Sequence, residues 1–437
     1  MDSLKVGICG LGTVASGVIN VLNRNQFEIS ARAGCKIEVV QVASRRMRDN
    51  CDMTGISFTT DLNELVNNPD IDVVAELIGG HTLAKDLVER ALKNGKHVVT
   101  ANKALIAEHG NDLFSLAAEN GVSLAYEAGV AGGIPIIKAL REGLAANKIS
   151  ALAGIINGTG NFILTEMKDK ARDFDDVLKE AQALGYAEAD PTFDVEGIDA
   201  AHKLAILSSV AFGAPLQFSK TFTEGISNVA PEDIRNAEDL GYRIKHLGIT
   251  KRQSNGIELR VHPTLIPESQ LIAKVDGVMN AVLIESDAVG QTMYYGPGAG
   301  SEATASAVIA DIVDIARALK AGVAPSVPPL GFSMDKMKEI PVLDIKECVS
   351  AFYLRISAED HPGVLAEVSS IMSRHCINIE SVLQKESARI GELIPLVMLT
   401  HEVQEAKIDE ALKEIEMLES VSGSVKKIRV AQFAQAK

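Results

Sequence analysis

The sequence predicts an α/β protein in three parts: a doubly wound parallel sheet, an α+β middle domain and a small C-terminal α+β domain. The first 128 or so residues alternate strand-like and helix-like stretches, starting with Leu4–Cys9, which is typical of a parallel sheet covered by helices. From Gly129 longer helices mix with strands. From Cys348 the chain reads strand, helix, strand, strand, helix, strand.

The segment Gly322–Gly331 carries three prolines and three glycines or alanines, a composition that indicates a flexible linker. We therefore expect a first domain at 1–128, a second at 129–320, a linker at 321–348 and a third domain at 349–437. Two long helices are predicted in the middle domain. Val195–Phe212 is predicted to be one helix, and Ser301–Lys320 is predicted to return and pack against the first domain.

Composition excludes several classes of protein. Aromatic residues make up 4% of the 437 residues, tryptophan is absent and the formal net charge is −15, which argues against nucleic-acid binding. The N-terminus lacks the pattern of a signal peptide, and no long apolar run predicts a membrane span. Five scattered cysteines without C-x-x-C favour reduced thiols and a cytoplasmic protein.

The N-terminal strand is followed at once by GLGTVASG, which contains the dinucleotide fingerprint G-x-G-x-x-A of a Rossmann-type domain. Gly10 makes the tight turn, Gly12 lets the backbone approach a pyrophosphate, and Ala15 allows close packing of helix on strand. The helix that begins with Thr13 and Val14 directs free N–H groups at the phosphates. The alternative is a structural turn between strand and helix.

Two further positions point to the cofactor. The second strand ends in Ser44, Arg45 and Arg46, where an NAD enzyme usually carries an acid, so two guanidinium groups favour the 2′-phosphate of NADP. The alternative is a solvated basic loop. The fourth strand ends at Thr100, and Lys103 follows at the edge that faces the ligand crevice of such sheets. Its alternative is a lysine in solvent at the start of a helix.

The densest group of charges lies in GYAEADPTFDVEGIDAAHKLAIL, Gly185–Leu207. Asp199 and Lys203 are four residues apart and share one face of a mostly apolar helix, where charges are costly unless they are paired or used. Lysine beside carboxylates suits a proton donor to a developing alkoxide, and the carboxylates suit a substrate ammonium group. The alternative is an ordinary surface salt bridge.

Three glycine-rich segments are further candidate binding sites. Gly158 and Thr159, in GIINGTGN, offer N–H groups and a hydroxyl to a substrate carboxylate. The carbonyls of Tyr126–Pro135 can hold a hard cation. Tyr294–Gly300 has a backbone that a ligand can approach closely. Each has an ordinary turn as its alternative.

In order along nearly the whole chain, these motifs resemble the homoserine dehydrogenase family. The matching segments are GLGTVASG, TANKALIA, YEAGVAGGIP, GIINGTGNFIL, GYAEADPTFDVEGIDAAHK and YYGPGAG. The most specific is the GYAEADP block with the following GIDAAHK. Ala15 is one departure, since many members have glycine there.

The resemblance implies residue roles. Lys203 is the implied proton donor, with Lys103 as the second active-site lysine. The implied substrate pocket consists of Gly158, Thr159, Tyr186, Glu188, Asp194 and Asp199. The resemblance adds Gly185 and Gly300 to the cofactor contacts predicted above from the fingerprint and the strand ends, which are Gly10, Gly12, Thr13, Val14, Ala15, Arg45, Arg46, Thr100 and Lys103. The implied sodium site is formed by the backbone carbonyls of Glu127, Val130, Gly132 and Ile134.

The tail resembles the ACT domain, a ferredoxin-like βαββαβ module that binds amino acids. Ala358–Met372 and Ile377–Val382 carry this resemblance. The implied ligand turn comprises Asp360, Gly363 and Val364, and we expect Asn378 to lie near it. The alternative is a docking or dimerisation module without a ligand.

The function that follows is NADP-dependent interconversion of L-aspartate 4-semialdehyde and L-homoserine, in threonine, methionine and isoleucine biosynthesis, by a homo-oligomer (dimer or tetramer). NAD is a possible second cofactor. Threonine is the expected effector. A chain ending near Gly331 is expected to stay active, provided that the tail is not needed for assembly, and to lose the inhibition. An acylating semialdehyde dehydrogenase needs a nucleophilic cysteine, and no cysteine lies in a substrate motif. A non-enzymatic redox or amino-acid sensor would not need the lysine and acidic residues.

Overall fold

The structure is a computed structural model that describes residues 2–323, 327–384 and 393–433. The chain forms two compact units, neither of which is continuous in sequence. The first unit consists of Met1–Gly158, Asp199–Thr221 and Val278–Ile340. The second consists of Thr159–Ile198, Phe222–Gly277 and Pro341–Lys437.

Strands and helices follow one another along the described residues. Those up to the middle of the chain are β1 (Ser3–Cys9), α1 (Thr13–Arg24), α2 (Gln26–Ala33), β2 (Lys36–Ala43), β3 (Ser57–Thr59), α3 (Leu62–Asn67), β4 (Val73–Glu76), α4 (Thr82–Lys93), β5 (His97–Thr100), α5 (Lys103–Glu119), β6 (Leu124–Ala125), α6 (Ile136–Lys138), β7 (Ile149–Ile155), α7 (Gly158–Lys170), α8 (Phe174–Ala183), α9 (Thr192–Val195) and α10 (Ile198–Phe212). Those that follow are β8 (Phe222–Thr223), α11 (Pro231–Asp239), β9 (Tyr242–Arg252), β10 (Ile257–Pro267), β11 (Met279–Ser286), β12 (Gly290–Pro297), α12 (Ser301–Ala321), β13 (Val349–Glu359), α13 (Val364–Arg374), β14 (Ile379–Gln384), β15 (Leu393–Thr400), β16 (Val403–Gln404), α14 (Glu405–Ile415) and β17 (Lys426–Val430).

The N-terminal sheet is parallel and has six strands in the order β3-β2-β1-β4-β5-β6. This is the doubly wound arrangement that the alternating pattern predicts. The strand order reverses between β1 and β4, and ligands of such sheets bind outside the carboxyl ends of the strands at that point. The fingerprint turn after β1 and the loop after β4 therefore both lie at the expected ligand crevice.

Helix α12 packs against this sheet's first helix, as predicted. Leu4 of β1, Val18 of α1 and Ile312 of α12 are completely buried in one hydrophobic core. A Cβ atom on Gly17 would come within 2.6 Å of the Ser301 carbonyl oxygen, so only glycine permits this approach of the two helices. The first unit also contains the antiparallel strands β12-β11-β7.

The second unit is built on a mixed sheet with the strand order β9-β10-β17-β13-β15-β14. Its last four strands, with α13 and α14, form the βαββαβ module predicted for the tail. Strand β17 also pairs in parallel with β10, where Thr264 lies opposite Arg429. The tail is therefore continuous with the strands that precede it.

A hydrophobic core on one face of this sheet joins the tail to the rest of the second unit. Tyr353 of β13 and Val397 of β15 are buried in the same core as Ile163 of α7 and Val195 of α9. Removing the tail would uncover these side chains. The expectation that a chain ending near Gly331 stays active is therefore not supported, because such a chain would lose part of its core.

The predicted linker needs correction in its described part. Pro329 accepts a hydrogen bond from the buried Tyr126 hydroxyl, and Leu330 is 4% exposed. This part of the segment is packed on the first unit rather than free, because its apolar residues find partners there. Ala324, Pro325 and Ser326 lie outside the described residues.

The helix predicted at Val195–Phe212 is also interrupted. α9 ends at Val195, Gly197 has a φ angle of +83°, and α10 begins at Ile198. A Cβ on Gly197 would meet the Val261 side chain at 3.0 Å, so glycine is required for both its conformation and its packing. Among the described residues, no helix combines the length and apolar character needed to cross a membrane.

Candidate active site

The fingerprint turn has the geometry that dinucleotide binding requires. Gly10 has a φ angle of +97°, and a Cβ there would lie 2.8 Å from the Leu77 carbonyl oxygen. A Cβ on Gly12, in contrast, would have no neighbour within 4 Å, which leaves room for a ligand to approach the backbone. Helix α1 begins at Thr13, and Ala15 is buried in the core. The turn therefore fits a pyrophosphate at the start of the helix, with Thr13 and Val14 supplying its first N–H groups.

Gly300 lies next to this turn in the first unit. It precedes α12 with a φ angle of +121°, and the Ser301 hydroxyl donates to the Thr13 carbonyl oxygen at 2.7 Å. The YYGPGAG segment is thus brought to the start of α1. Arg45 and Arg46 are exposed in the loop immediately after β2. That placement fits a 2′-phosphate contact and also a solvated loop, so both interpretations stay open.

Lys203, Asp199 and Lys103 form one ion-paired group in the first unit. The Lys203 Nζ donates to Asp199 Oδ2 at 2.6 Å and to the Ile156 carbonyl oxygen at 2.7 Å. Lys103 Nζ lies 3.1 Å from Asp199 Oδ1. The Asp199 side chain is 6% exposed, Lys203 12% and Lys103 30%. This burial contradicts the alternative of a surface salt bridge.

The charge of Asp199 is held by its partners. Burial alone would raise the pKa of this carboxyl, because a low-dielectric environment disfavours the charged form. The Lys203 and Lys103 ammonium groups and the hydrogen bonds from Lys203 and Asn157 outweigh that effect, and the pKa falls to about 2. Asp199 is therefore an anion at neutral pH, and it forms an ion pair with each of the two lysines.

Two contacts were not identified from the sequence: a partner of Asp199, and a pair that lies beside the group on α10. Asn157 ends the segment after β7, and its Nδ2 donates to Asp199 Oδ2 at 2.8 Å. His202, beside Lys203 on α10, lies 3.1 Å from Glu108 of α5. Asn157 lies within the GIINGTGN segment already singled out, although only Gly158 and Thr159 were chosen from it. The pairing of His202 with Glu108 joins residues 94 apart in sequence and has no local signal.

The other predicted substrate residues, apart from Gly158, belong to the second unit. The Thr159 hydroxyl donates to the Tyr186 carbonyl oxygen at 2.7 Å, and the Tyr186 ring packs edge-on against Phe162. The structure therefore brings the GTGN and GYAEADP segments together. Glu188 is exposed and Asp194 is half-buried on α9. Gly185 follows α8 with a φ angle of +76°.

The predicted sodium segment turns sharply in the first unit. Ala131 and Gly132 both have left-handed backbone conformations, with φ angles of 54° and 46°. The carbonyl oxygens of Glu127 and Ile134 each accept one backbone N–H bond, from Val130 and Ile136 respectively. Since a carbonyl oxygen has two lone pairs, these bonds leave each of them one position for a cation.

The predicted regulatory residues do not all meet. Asp360, Gly363 and Val364 form the turn between β13 and α13, where Gly363 has a φ angle of +111°. Glu359 pairs with Leu393 at that end of the sheet. Asn378 stands at the other end of α13, because the following residue, Ile379, pairs with Thr400. The expectation that Asn378 lies near the turn within one chain is therefore wrong; the antiparallel register separates them.

The geometry defines what the first unit can do. A turn suited to a dinucleotide, and a buried carboxylate that holds two ammonium groups, belong to the same compact unit. One of these lysines, Lys103, begins the helix after β5, at the carboxyl edge of the parallel sheet. Such a group can stabilise developing negative charge on a substrate oxygen and can donate a proton to it.

Comparison with known families agrees with this description. The profile described as Homoserine dehydrogenase matches residues 135–313, and the profile described as Homoserine dehydrogenase, NAD binding domain matches residues 10–127. The profile of the ACT domain matches residues 352–417. A nicotinamide cofactor is thus supported for the first domain.

Full-length relatives carry the same name. A homoserine dehydrogenase of Pseudomonas aeruginosa is 60% identical over 99% of this chain and 100% of its own length. The crystal structure of a homoserine dehydrogenase from Thiobacillus denitrificans is 55% identical, with a TM-score of 0.94 over 98% of both chains. A hyperthermophilic archaeal homoserine dehydrogenase in complex with NADPH is 27% identical, with a TM-score of 0.60 over 73% of this chain and 98% of that one. The chain therefore belongs to the homoserine dehydrogenase family of oxidoreductases.

Proposed function

We propose that this chain catalyses the reversible reduction of L-aspartate 4-semialdehyde to L-homoserine with NADPH. The observation that carries the proposal is the buried Lys203–Asp199–Lys103 group in the unit that also holds the dinucleotide turn. A reduction of an aldehyde needs a proton at the oxygen as well as a hydride at the carbon. The ion-paired lysines supply the first of these, and the bound nicotinamide supplies the second.

Each member of the group has a separate task. Lys203 donates its proton to the aldehyde oxygen, and the Ile156 carbonyl oxygen and Asp199 hold its ammonium group in one orientation. Lys103 stabilises the negative charge that develops on the same oxygen. Asp199 remains an anion, because its pKa of about 2 lies far below neutral pH, and it holds both ammonium groups in place by ion pairing. Solvent reaches the partly exposed lysines and restores the proton.

The residues for the amino-acid end of the substrate are assigned from the family match. The start of α7, at Gly158, suits the substrate carboxylate, because the positive end of a helix dipole attracts anions. Glu188 and Asp194 suit its ammonium group, as the family match implies. The Thr159 hydroxyl is bonded to the Tyr186 carbonyl oxygen, so we assign it to joining the two loops rather than to the substrate.

The direct assay is reduction of NADP by the purified chain on addition of L-homoserine, followed by the absorbance of NADPH. Serine and threonine are the controls, because they keep the amino-acid group and change the alcohol. We expect turnover with homoserine and little with the other two. Equal turnover with all three, or none with homoserine, would contradict the proposed substrate.

We propose NADP as the preferred cofactor, with NAD as a second substrate. The support is the exposed pair Arg45 and Arg46 after β2, without an acid in the position that binds the ribose diol. A related archaeal enzyme was solved with NADPH, which agrees with this preference.

Replacing Arg45 and Arg46 by alanine together should raise the KM for NADP by at least roughly 10-fold to 100-fold, since the loss of even one charge-assisted bond costs about 1.5–3 kcal/mol. The KM for NAD should change less than about twofold, because NAD has no 2′-phosphate. Steady-state kinetics with both cofactors on the same protein preparation provide the internal control. An equal effect on both cofactors would identify these arginines as a solvated loop.

We also propose that a sodium ion is bound by the carbonyl groups of Glu127, Val130, Gly132 and Ile134. We further propose that the protein is a homo-oligomer of two or four chains and that it works in the cytoplasm. The sodium proposal rests on the family resemblance and on the sharp turn at Gly132. The assembly rests on the family resemblance, and the compartment on the five scattered cysteines without C-x-x-C. Light scattering of the purified chain measures the assembly. A monomer would contradict the second proposal.

We propose that threonine inhibits the enzyme by binding to the ACT domain. An effector acts only through a difference in affinity between two states, and the shared core supplies the physical connection. Tyr353 in the tail and Ile163 in α7 are packed in one core, so movement of the tail sheet is transmitted to that helix. Arg429 of β17 is buried and paired with both Glu405 and Glu224, which adds a polar connection between the tail and the loop after β8.

Asp360→Ala should weaken threonine inhibition by roughly 10-fold without changing kcat, because a lost bond to a charged ligand group costs about 1.5–3 kcal/mol. Glu419→Ala, which removes an exposed carboxylate elsewhere in the same domain, is the control; Asp360 itself is half-buried. The measurement is a threonine titration of full-length proteins. If threonine inhibits the Asp360 variant as strongly as the unchanged chain, the turn is not the effector site.

A further inference from the structure

A series of buried hydrogen bonds begins at Glu76, the last residue of β4. This carboxylate is completely buried. Its Oε1 accepts the N–H groups of Ile78 and Gly79, both at 3.0 Å, and its Oε2 accepts the Thr100 hydroxyl at 2.6 Å. A buried carboxylate is costly unless it is fully bonded, and these three bonds compensate that cost.

The series continues into α5 and returns to the same loop. The Thr100 hydroxyl oxygen accepts the N–H of Asn102 at 2.9 Å. Asn102 caps α5 by accepting the N–H of Leu105 at 3.1 Å, and its Nδ2 donates to the Gly80 carbonyl oxygen at 2.7 Å. The loop after β4 is therefore tied at several points to the first turn of α5.

Both ends of this network reach the candidate site. The loop after β4 includes Leu77, whose carbonyl oxygen defines the tight approach of Gly10 in the dinucleotide turn. The first residue of α5 is Lys103, whose ammonium group is paired with Asp199. Because β4 lies beside β1 at the point where the strand order reverses, the network stands between the cofactor turn and the lysine.

The loop needs such support because of its conformation. Gly79 and Gly80 are consecutive residues with left-handed φ angles of 72° and 81°. Two glycines in sequence leave a backbone with many accessible states, so the bonds from Glu76 and Asn102 select one of them. The same bonds fix where α5 begins, and therefore where Lys103 emerges.

We propose that Glu76 and Asn102 are positioning residues, which hold the glycine loop for the cofactor and place Lys103 for the reaction. This inference rests on the proposed function, because it takes Lys103 as a residue that acts on the substrate. Neither residue was selected by the motif analysis, although an acid at the end of an apolar strand and an asparagine before a helix are both visible in AELIGG and TANK.

Asn102→Asp separates the two tasks of that residue. Aspartate keeps the acceptor that caps α5 but loses the donor to the Gly80 carbonyl oxygen. Asn111→Asp is the matched control, because Asn111 lies on the same helix and makes the same two kinds of hydrogen bond. It accepts the N–H of Leu216 and donates to the Leu216 carbonyl oxygen. Unlike Asn102, it is exposed. The Kd for NADPH is measured by its fluorescence, with kcat and the melting temperature on the same samples.

We expect Asn102→Asp to raise the Kd for NADPH and lower kcat, each by about 10-fold, with a melting temperature within a few degrees of the unchanged chain because the cap is retained. Asn111→Asp should change both quantities less than about twofold. Equal behaviour of the two variants would overturn the role of Asn102.

Glu76→Gln gives an independent test with a double-mutant cycle. In this variant the side-chain amide at position 76 would face the Thr100 hydroxyl with a donor in place of an acceptor. The Thr100 hydroxyl already accepts the N–H of Asn102, so the hydrogen bond that it donates to Glu76 would be lost. At saturating NADPH and substrate, where an effect on cofactor affinity is not seen, we expect kcat to fall about 10-fold in the unchanged chain and less than about twofold in Lys103→Ala, because Glu76 acts on kcat through Lys103. Additive effects would overturn the proposal. Full activity of Lys103→Ala alone would contradict the proposed function instead, because Lys103 would then not act on the substrate. In that case the NADPH affinity of Asn102→Asp would still test whether Asn102 holds the glycine loop for the cofactor.

Discussion

Lys203→Ala should lower kcat by roughly 10²–10⁴-fold, because it removes the general acid from the buried ion-paired group. The affinity for NADPH should change little, since Lys203 contacts Asp199 and Ile156 rather than the dinucleotide turn. Lys203→Arg keeps the positive charge beside Asp199 but cannot release a proton in this pH range, so its kcat should stay low as well. Steady-state kinetics and NADPH binding on both variants make the measurement.

The matched control is Lys138→Ala. Lys138 is also a largely buried lysine of the first unit, is 18% exposed, and pairs with the buried carboxylate of Asp311. Its loss should therefore reduce stability in a similar way and leave kcat nearly unchanged. If Lys203→Ala retains most of its kcat, or loses no more than the Lys138 variant does, Lys203 is not the proton donor.

Asp199→Asn should reduce both activity and stability. Without the carboxylate charge, the ammonium groups of Lys203 and Lys103 repel each other, and removing one partner of a buried ion pair costs about 3–5 kcal/mol. Asparagine has nearly the same shape, so the effect is one of charge rather than of packing. Denaturant unfolding and kcat are measured on the same protein. A variant with unchanged stability and kcat would show that the carboxylate charge is not needed.

The pH dependence has a defined sign. The pKa of Asp199 is about 2 in the folded chain and about 3.9 in an unfolded chain, a difference of roughly 2–3 kcal/mol. Because the folded value is the lower one, this stabilisation is fully present above about pH 4 and is lost as pH falls toward 2. The difference in unfolding free energy between the unchanged chain and Asp199→Asn should therefore be constant near neutral pH and shrink below about pH 4. A difference that grows on acidification would contradict the assignment.

The N-terminal sheet could be predicted from sequence because its signals are local. Apolar strands alternate with amphipathic helices, and the fingerprint combines a strand end, two glycines and a helix start within a few residues. The break at Gly197 was missed because it depends on a left-handed backbone and on packing against Val261, neither of which changes the apolar periodicity. The same limit applies to the tail, since the pairing of β17 with β10 joins distant residues.

In the candidate site too, local spacing predicts some residues, and contacts between distant residues decide the others. Asp199 and Lys203 were recognised from their spacing on one apolar helix, and the structure confirms their pairing. Asn157 reaches the same carboxylate from a different element, so no spacing predicts it. Asn378 was placed wrongly because the antiparallel register of β14 and β15, which decides its position, is not written in a local pattern.

The most direct test of the proposed reaction is to follow the hydride. The purified chain is incubated with L-aspartate 4-semialdehyde and NADPH that carries deuterium at the transferable position, and the amino-acid product is analysed by mass spectrometry and NMR. The proposed function predicts L-homoserine with one deuterium on the carbon that bears the hydroxyl group, and a much lower yield with Lys203→Ala. Homoserine without deuterium, or no homoserine from the unchanged chain, would contradict it.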